Sequence, residues 1–451
     1  MLKDTLTEAE KQASIEQSRG LKKECVRFLT PLLKKMDQHL DHRLINTLLD
    51  LMLIIVIHRH RNQGLVLSEL GGQLLGEKHA PAGAKRIGNL LHSQDWQAQE
   101  IEDELWAQGH EKVEQLNTAN DEALVIWDDS EAEKPESLAA EGLCPVRSSK
   151  ARRLKRIKPG FFNPPGGRPI FVPGFHWLQV IVVGMEGAPC LTHLLWWTSR
   201  GKQASDKRSQ ERSLLKKMAE WWGSRVVHVF DQGYAGAPWI WALLAYATLR
   251  FVIRWKKSYK LVDKDGQEKL AWQILRGKRA MDHKQIWDAR RRVHRTVGIV
   301  FAPVHLPESS QPLWLVASRP GPGHKPWYLL TNMPITSVEE AWHIVFIYAR
   351  RWQIETTLRF EKSELAFESP RLQEWEPRRK FLLIAALVHA FLILLLAPRF
   401  VQLKLWLLDT GCHRTGKWSR DASAPLYRLR LALSQLWRDF FPSHPPLLNS
   451  G

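Results

Sequence analysis

The feature that most constrains the fold is a polar pattern within a predicted helix at 335–369. Tyr348, Arg351, Glu355 and Lys362 follow the spacing Tyr-x2-Arg-x3-Glu-x6-Lys. At about 100° per residue, these four side chains fall within an arc of about 60° on one helix. A phenol, a guanidinium, a carboxylate and an ammonium on one face suit a metal-bound phosphate. The carboxylate binds the cation, and the basic groups bind the phosphate oxygens.

The helix is predicted by signals that are independent of those four residues. Thr336 and Glu339 have the spacing of a capping box. Neither Pro nor Gly interrupts 335–369, and apolar residues recur at helical spacing beside the polar face. The apolar residues are Ile344, Ile347, Ile354, Leu358 and Leu365. The alternative interpretation is a solvated helix face that carries incidental salt bridges.

The pattern resembles the Tyr–Arg–Glu–Lys signature of bacterial insertion-sequence transposases of the DDE type. In that family the Glu is the third catalytic carboxylate on a ribonuclease H-like fold. The resemblance implies that Glu355 is catalytic, that Arg351 and Lys362 hold phosphates near the cleavage site, and that Tyr348 positions a phosphate by a hydrogen bond. It also implies two upstream Asp residues, each at the end of an apolar strand.

Asp231 fits the second of these positions. It follows the apolar segment Val226–Phe230 and precedes Gly-Tyr and a predicted helix at 237–244. This order places the carboxylate at the carboxyl end of a strand, where α/β folds bind ligands. The segment resembles the family's Asp-Arg-Gly-Phe/Tyr motif, with Gln232 where Arg is usual. The alternative is an Asp that only caps the turn.

The first Asp has two candidates, because the apolar segment 123–127 runs into both Asp128 and Asp129. Adjacent residues of a strand point to opposite faces, so only one of them can face the metals. The family pattern of Asp, one residue and then Ser or Thr selects Asp128, since Ser130 follows it. Asp129 stays open as the alternative. The basic run at 146–156 also resembles the run that follows the first catalytic Asp in close relatives.

Three carboxylates suit two divalent metal ions, either Mg²⁺ or Mn²⁺. Two such ions about 3.5–4 Å apart activate the attacking oxygen and stabilise the leaving oxygen of a phosphoryl transfer. Mg²⁺ takes few carboxylates together with water and phosphate, so Asp128, Asp231 and Glu355 suffice. The resemblance implies an endonuclease and strand transferase that performs cut-and-paste transposition of an insertion sequence. Its substrates would be double-stranded DNA with terminal inverted repeats, and target DNA.

The composition agrees with a nucleic-acid partner. The chain has 65 Lys and Arg against 47 Asp and Glu, a net charge of +18 and a pI near 9.8. This excess favours a polyanion and predicts a strong salt dependence of binding. The basic clusters lie at 150–158, 200–217, 276–295 and 350–359. Trp272 and Trp287 lie between basic residues, where they either stack on an unpaired base or pack in the core.

The other signals concern the cellular compartment. The four cysteines are scattered without metal-ligand spacing, which predicts reduced thiols in a cytosolic protein. The N-terminal residues predict a charged helix and no signal peptide. We expect a cytoplasmic protein associated with the bacterial nucleoid.

One segment, 381–397, is apolar except for His389, and it is either a marginal membrane span or a buried helix. We favour the buried helix and expect no membrane partner.

The predicted fold class is α/β, with a ribonuclease H-like catalytic core. Asp231 and Glu355 are separated by 123 residues, which is too long for a simple connection and indicates an insertion. The predicted regions are a helical N-terminal DNA-binding region at 1–118, the first part of the core at 119–255, a β-rich insertion at 256–332, the second part of the core with the signature helix at 333–400, and a C-terminal helical tail at 401–451.

Three alternatives remain at the level of the sequence. The N-terminal helices either bind DNA or only pack as a bundle, since no sharp helix-turn-helix pattern is present. The whole chain is either an active transposase or a transposase-derived DNA-binding protein without catalysis. The third alternative is that the chain is a membrane-associated basic protein built around 381–397. By the resemblance, the active form is a homodimer in its DNA complex.

Overall fold

The computed structural model describes residues 7–58, 64–134, 137, 139–148, 169–288, 293–321, 324–411 and 426–440. The basic cluster predicted at 150–158 lies outside these residues, as does most of the run at 146–156. Part of the cluster at 276–295 and the last residues of the predicted tail are also outside them.

The first quarter of the chain forms a layer of helices. These are α1 (Glu8–Met36), α2 (His42–His58), α3 (Leu67–Leu75), α4 (Ala80–His92) and α5 (Ala98–Thr118). Thr7 starts α1 with a capping box, because its side chain accepts a hydrogen bond from the Glu10 N–H while the Glu10 carboxylate accepts one from the Thr7 N–H. The helical prediction for this region is in agreement with these elements.

Helices α3 and α4 meet at a pair of glycines. A β-carbon on Gly83 would lie 2.1 Å from the carbonyl oxygen of Gly71, and one on Gly71 would lie 2.2 Å from the nitrogen of Ala84. Both distances are far shorter than a van der Waals contact. The two backbones therefore approach each other only because neither position carries a side chain.

The middle of the chain contains the strands and three further helices. The strands are β1 (Ala123–Glu133), β2 (Cys144–Arg147), β3 (Phe171–Val183), β4 (Cys190–Trp197), β5 (Val226–Phe230), β6 (Arg250–Arg254), β7 (Lys260–Val262), β8 (Glu268–Leu270), β9 (Asp282–Asp288), β10 (Val293–Val304), β11 (Leu313–Arg319) and β12 (Trp327–Thr331). The helices are α6 (Lys207–Trp221), α7 (Ala237–Leu244) and α8 (Ala271–Leu275).

One large mixed sheet organises these strands. Its order is β2-β3-β1-β5-β6-β12-β11-β10-β9, and β4 also pairs with β3. Strand β1 runs parallel to β5, and β5 runs parallel to β6, whereas the other pairings among the described strands are antiparallel. The strands predicted as a β-rich insertion thus continue the same sheet through the pairing of β12 with β6. Strands β7 and β8 form a separate small ribbon.

Within the described residues, five helices follow the sheet. They are α9 (Val338–Ala349), α10 (Trp352–Ser363), α11 (Trp375–Leu394), α12 (Val401–Gly411) and α13 (Leu426–Phe440). The N-terminal helices share one hydrophobic core with α9, α10, α11, α12 and α13 on one face of the sheet. Helices α6, α7 and α8 cover the other face, where they pack with residues from the second half of α5. Because strand residues alternate, Leu124 and Ile126 of β1 enter the first core, and Val125 and Trp127 enter the second. The α/β class is confirmed by this arrangement.

Helix α11 contains the apolar segment that the sequence left between a membrane span and a buried helix. Its residues from Phe381 to Ile393 are all buried, including His389. Within the described ranges, no single helix is long and apolar enough to cross a membrane. Helix α11 and the segment Pro398–Thr410 pass that test only as a pair, and the pair is bent by 76°.

The contact between α3 and α4 generates a stability prediction. Gly83→Ala should lower the free energy of unfolding by about 1–3 kcal/mol, because the methyl group must displace the backbone of α3. Gly88→Ala in the same helix should raise it by about 0.5–1 kcal/mol, because a β-carbon on Gly88 would meet no neighbouring group within 4 Å and alanine favours the helix. Urea unfolding of both variants measures the difference, and effects of equal sign would contradict the close packing of α3 on α4.

Candidate active site

Strands β1 and β5 bring Asp128 and Asp231 to neighbouring positions. Their parallel pairing ends with Trp127 opposite Phe230, and the two aspartates are the next residues on each strand. Neighbouring strands lie about 4.8 Å apart, so these carboxylates share one end of the sheet. Asp231 follows β5 directly, as the sequence predicts, and its Oδ1 accepts a hydrogen bond of 2.7 Å from the Gly233 N–H. Asp231 therefore caps its turn and also lies beside Asp128.

The geometry separates Asp128 from Asp129. The prediction that β1 ends at these residues is wrong, because its antiparallel pairing with β3 continues as far as Glu133. Side chains alternate along the strand, so Asp128 lies on the face covered by α10, and Asp129 lies on the face covered by α6. Asp129 forms an ion pair there with Lys207, the first residue of α6.

Asp128 lies in an unfavourable environment for a negative charge. Its side chain is only 17% exposed. Burial and the nearby charge of Asp231 raise the pKa of Asp128 to about 7, although the positive charge of Arg351 acts in the opposite direction. Near neutral pH, the folded protein therefore holds this carboxyl group close to its midpoint of ionisation.

The single helix predicted for the signature residues is wrong. Helix α9 ends at Ala349 and α10 begins at Trp352. Arg350 and Arg351 form the joint between the two helices. Its hydrogen bonds span three residues, as in a 3-10 helix, and run from the Arg351 N–H to the Tyr348 carbonyl and from the Ile354 N–H to the Arg351 carbonyl. Helix α9 packs on β6, β10, β11 and β12, and α10 packs on β1 and β3. A twisted sheet presents these two regions at different angles, so one straight helix does not fit both.

The start of α9 also differs from the predicted capping box by one residue. Ser337 is the N-cap, and its hydroxyl accepts a hydrogen bond of 3.1 Å from the Glu340 N–H. The Glu340 carboxylate accepts hydrogen bonds from the N–H groups of Ser337 and Thr336. Glu340 therefore satisfies two backbone donors, which explains why it is used instead of Glu339.

Charged side chains also hold α9 on the sheet. His343 lies 2.6 Å from Glu122 at the start of β1, and Glu122 also accepts a hydrogen bond of 2.8 Å from Arg250 of β6. The hydrogen bond to Glu122 raises the pKa of His343 above its ordinary value. The His343 imidazolium is therefore favoured in the folded state.

Arg351 connects the two halves of the site. Its Nη1 donates a hydrogen bond of 3.4 Å to Asp128 on β1, and its Nη2 pairs with Glu355 one turn further along α10. The guanidinium side chain is 12% exposed and the Glu355 side chain is 30% exposed. The structure thus brings Asp128, Arg351 and Glu355 together, with Asp231 beside Asp128.

The other two signature residues lie in different environments. Tyr348 is buried with its ring 5.1 Å from that of Trp327, and burial raises the pKa of its hydroxyl. The guanidinium groups of Arg351 and Arg254 act on that hydroxyl in the opposite direction and lower its pKa. The Lys362 ammonium lies 5.1 Å from the centre of the Trp177 ring and 3.8 Å from Glu368. The four side chains do not share one uninterrupted helix face.

Lys362 also lines a polar cavity of about 390 Å³ near the end of β1. The cavity is bordered by the face of β1 that carries Asp129, by β3 and β4, and by the start of α6. The residues that line it include Asp129, Glu131, His176, Trp197 and Lys207. The rings of His176 and Trp197 are stacked at 4.1 Å with an angle of 8°.

The carboxylates of Asp128, Asp231 and Glu355 are the kind of ligand that a hard divalent cation prefers, but in this structure they are not close enough together to bind one ion. Carboxylate oxygens are the preferred ligands of Mg²⁺ and Mn²⁺. Among the residues that the structure describes, no group of three or more His, Cys, Asp or Glu side chains is arranged closely enough to hold a metal ion. Asp128 and Asp231 form the compact part of the set, and Arg351 holds Glu355 in an ion pair.

Sequence reasoning missed a buried polar group behind this site. Gln179 donates a hydrogen bond of 2.6 Å to the Glu361 carboxylate, and His389 lies 3.0 Å from the same oxygen. All three side chains are fully buried. The available signal was Glu361 itself, which follows Ile354 and Leu358 by seven and three residues and so occupies a position of the apolar stripe.

Comparison with known proteins supports one family. Residues 181–391, just under half of the chain, match the family model of the transposase DDE domain. This match supports a DDE transposase. The matched range includes Asp231 and Glu355, and it begins after Asp128.

Among solved structures, the chain is similar to a piggyBac transposase in a synaptic complex with hairpin DNA, at 13% identity and a TM-score of 0.40. The similarity covers 97% of this chain and 83% of that chain. A similarity of this size does not establish a shared function. No curated protein matches the chain significantly.

The His343 contact predicts a pH-dependent stability. Because the folded state raises the pKa of His343, its contribution is fully present below the unfolded value near 6.5 and is lost as the pH rises through the folded value. His343→Gln should therefore cost about 0.5 kcal/mol at pH 6 and less at pH 9, as is typical of partly exposed ion pairs. Urea unfolding at both pH values tests this. Glu122→Gln in the His343→Gln background is the control, and it should add no further pH dependence of this kind.

The environment of Asp128 predicts a stabilising substitution. A carboxyl group whose folded pKa is raised destabilises the fold increasingly as the pH rises from about 4 to 7. Asp128→Asn should therefore raise the melting temperature at pH 8 in the presence of EDTA, and the gain should vanish at pH 4. Asp129→Asn is the matched control, since it removes the ion pair with Lys207 and should bring no gain. A lower melting temperature of Asp128→Asn at pH 8 would contradict the electrostatics.

Proposed function

We propose that this chain is a cut-and-paste DNA transposase of the bacterial insertion-sequence group with the Tyr–Arg–Glu–Lys signature. The observation that carries the proposal is the placement of Asp128 beside Asp231, with Glu355 joined to Asp128 through Arg351. Three carboxylates from two parallel strands and one helix thus surround one end of the sheet. The family match over 181–391 is consistent with this assignment.

The proposed catalytic core is ribonuclease H-like. Its support is the succession β4, β3, β1, β5 and β6, in which two antiparallel pairings are followed by two parallel ones. The parallel pairings place the carboxyl ends of β1's paired segment and β5 at the same edge of the sheet, where α/β folds bind ligands. Helix α10 then crosses β1 and β3 and supplies the third carboxylate.

Asp128, Asp231 and Glu355 would hold two Mg²⁺ or Mn²⁺ ions. Bound there, the ions would activate the attacking oxygen and stabilise the leaving oxygen of the phosphodiester. Arg351 is placed to exchange its contact with Glu355 for a phosphate oxygen, since a guanidinium binds both groups in the same way. Lys362 would hold a second phosphate, and Tyr348 would position a phosphate by a hydrogen bond.

The proposed substrates are DNA ends with inverted repeats, followed by target DNA. The basic excess supports a polyanionic partner. Strands β9 and β10 expose Trp287 to 52%, and its ring lies 5.1 Å from that of His294 on the neighbouring strand. Such an exposed aromatic pair among basic residues is suited to contact with a DNA end. We further propose a homodimer in the DNA complex and a cytoplasmic location at the nucleoid.

A second candidate function is DNA binding without catalysis. The observation in its favour is that Glu355 is paired with Arg351, and that the acidic residues described by the structure form no ready metal-binding group. Such a protein would keep the basic surface and the fold. The intact set of three acids favours the catalytic function.

The test is DNA nicking by the purified full-length chain, with DNA taken from both flanks of its gene as substrate and Mg²⁺ or Mn²⁺ present. Each of Glu355→Gln, Asp231→Asn and Asp128→Asn should lower the nicking rate at least about 100-fold, because each removes a ligand worth several kcal/mol to the transition state. DNA binding should persist in all three variants.

Asp129→Asn is the matched control for Asp128→Asn, because it changes the adjacent carboxylate on the opposite face of β1. Its nicking rate should stay within a few fold of the wild-type rate. A wild-type rate in Glu355→Gln would refute the catalytic assignment, and the reverse ranking of the two adjacent variants would assign the first carboxylate to Asp129. Specific DNA binding without any nicking by the wild type would favour the second candidate function.

A further inference from the structure

The rung of the sheet that carries Asp128 has a third member. Asp128 on β1 is paired directly with Gln179 on β3, while Asp231 lies on its other side. Directly opposed residues of an antiparallel pair point to the same face, so Gln179 and Asp128 both face α10. Helix α10 is thus in contact with two neighbouring positions of one rung.

Each of these positions has its own polar contact with α10. Asp128 is joined to the start of the helix through Arg351 and Glu355. Gln179 is joined to the end of the helix through Glu361, at 2.6 Å. Since Arg351 and Glu361 are ten residues apart, these contacts are separated by about 15 Å along the helix axis. Two separated contacts fix both the rotation and the position of a helix along its axis.

His389 completes the contact from the opposite side. Its Nδ1 lies 3.0 Å from the same Glu361 oxygen that Gln179 binds, and its ring stacks on Phe360 at 4.7 Å. His389 belongs to α11, the most deeply buried helix of the first core. Glu361 therefore connects the sheet, α10 and α11 at a single carboxylate.

A buried carboxylate is an unfavourable choice for a contact that has only a structural role, because its desolvation opposes folding. All three side chains are fully buried, and burying a carboxylate carries a large desolvation penalty before its partners compensate. Apolar side chains of similar size would hold the helix in a core as stably or more stably. What a hydrogen-bonded carboxylate adds is a defined register, because its contacts are directional.

Helix α10 has a particular need for such a register. It has 12 residues, and it is separated from α9 by the joint at Arg350 and Arg351. Helix α9 therefore does not extend its own regular geometry into α10. The carboxylate of Glu355 has to be placed by contacts that α10 makes itself.

We propose that Gln179, Glu361 and His389 are positioning residues that hold α10 in register on the Asp128 rung and so place Glu355 for catalysis. This inference rests on the proposed transposase function for its catalytic part. The structural part concerns only α10 and is measurable without activity. None of the three residues contacts the reacting groups, so they act through Glu355.

The test compares Glu361→Leu with Glu361→Gln in the full-length chain. Glu361→Leu should make amide hydrogen exchange in 352–363 about tenfold faster. It should also lower the DNA cleavage rate at saturating DNA about 100-fold, because misplacement of a catalytic group by about 1 Å has an effect of this size. The DNA dissociation constant should stay unchanged. Glu361→Gln, which keeps the size and an acceptor oxygen, should recover most of both losses.

Leu383→Ala in α11 is the matched destabilising control. It leaves a cavity in the same core but breaks none of these hydrogen bonds. At a comparable loss of melting temperature, it should leave exchange in 352–363 and the cleavage rate near the wild-type values. Equal effects of Leu383→Ala and Glu361→Leu would overturn the proposal, because loss of stability alone would then explain them.

If Glu361→Leu does not fold, the triple variant Gln179→Leu, Glu361→Met and His389→Leu replaces it, since it leaves no buried group unpaired. Wild-type exchange in 352–363 together with wild-type cleavage in this variant would also overturn the proposal. Absence of cleavage by the wild-type protein would refute the proposed function instead, and the exchange measurements would still decide whether these residues position α10.

Discussion

Parallel pairing between β1 and β5 is the contact on which the candidate site depends. Its register ends at Trp127 and Phe230, and this alone makes Asp128 and Asp231 neighbours. The pairing is held by apolar side chains on both faces of β1, which enter two different cores. Two carboxylates are thereby fixed close together at a rigid sheet edge. Their mutual repulsion and the burial of Asp128 are consequences of a geometry that the two cores impose.

The third carboxylate reaches this edge because the polypeptide breaks its helix. Helix α9 follows the strands that extend the sheet, and α10 turns to cross β1 and β3. Arg351 lies at the break and pairs with acids from both elements. A cation of the protein itself thus occupies the place between Asp128 and Glu355. The same guanidinium is well suited to bind phosphate, which connects the local electrostatics to the proposed chemistry.

The helical N-terminal region is part of the architecture that supports this site. Most of its buried residues belong to the same core as α9, α10 and α11, and Trp106, Val113 and Leu116 of α5 enter the core on the other face of the sheet. Helix α11 is enclosed by this layer, which explains how an apolar segment with a central histidine is accommodated within the protein. The predicted role of 1–118 in DNA binding remains a prediction. What the structure adds is that these helices also cover the face of the sheet on which α10 lies.

Local sequence signals determined the elements of this protein and several of its candidate site residues. Asp231 could be predicted because an apolar strand, a Gly-Tyr turn and a helix follow one another within a few residues. Which of Asp128 and Asp129 faces α10 was decided only by the tertiary structure, which pairs Asp128 with Arg351 and Asp129 with Lys207 of α6. The break at Arg350 and Arg351 has no Pro or Gly to announce it, because it results from two docking surfaces on a twisted sheet.

The buried carboxylate of Glu361 is a second case in which the sequence indicates the position of a residue but not its partners. Its position in the sequence marks it as part of the apolar stripe of α10, but its partners come from β3 and α11, at separations of 182 and 28 residues. Periodicity and end signals act within a few residues, so the sequence alone indicated where many of the helices and strands lie, together with the acidic strand end at Asp231, but not where β1 ends or where the signature helix breaks. Which side chains meet was decided only by the fold, because strand pairing and helix docking join residues that are distant in the chain.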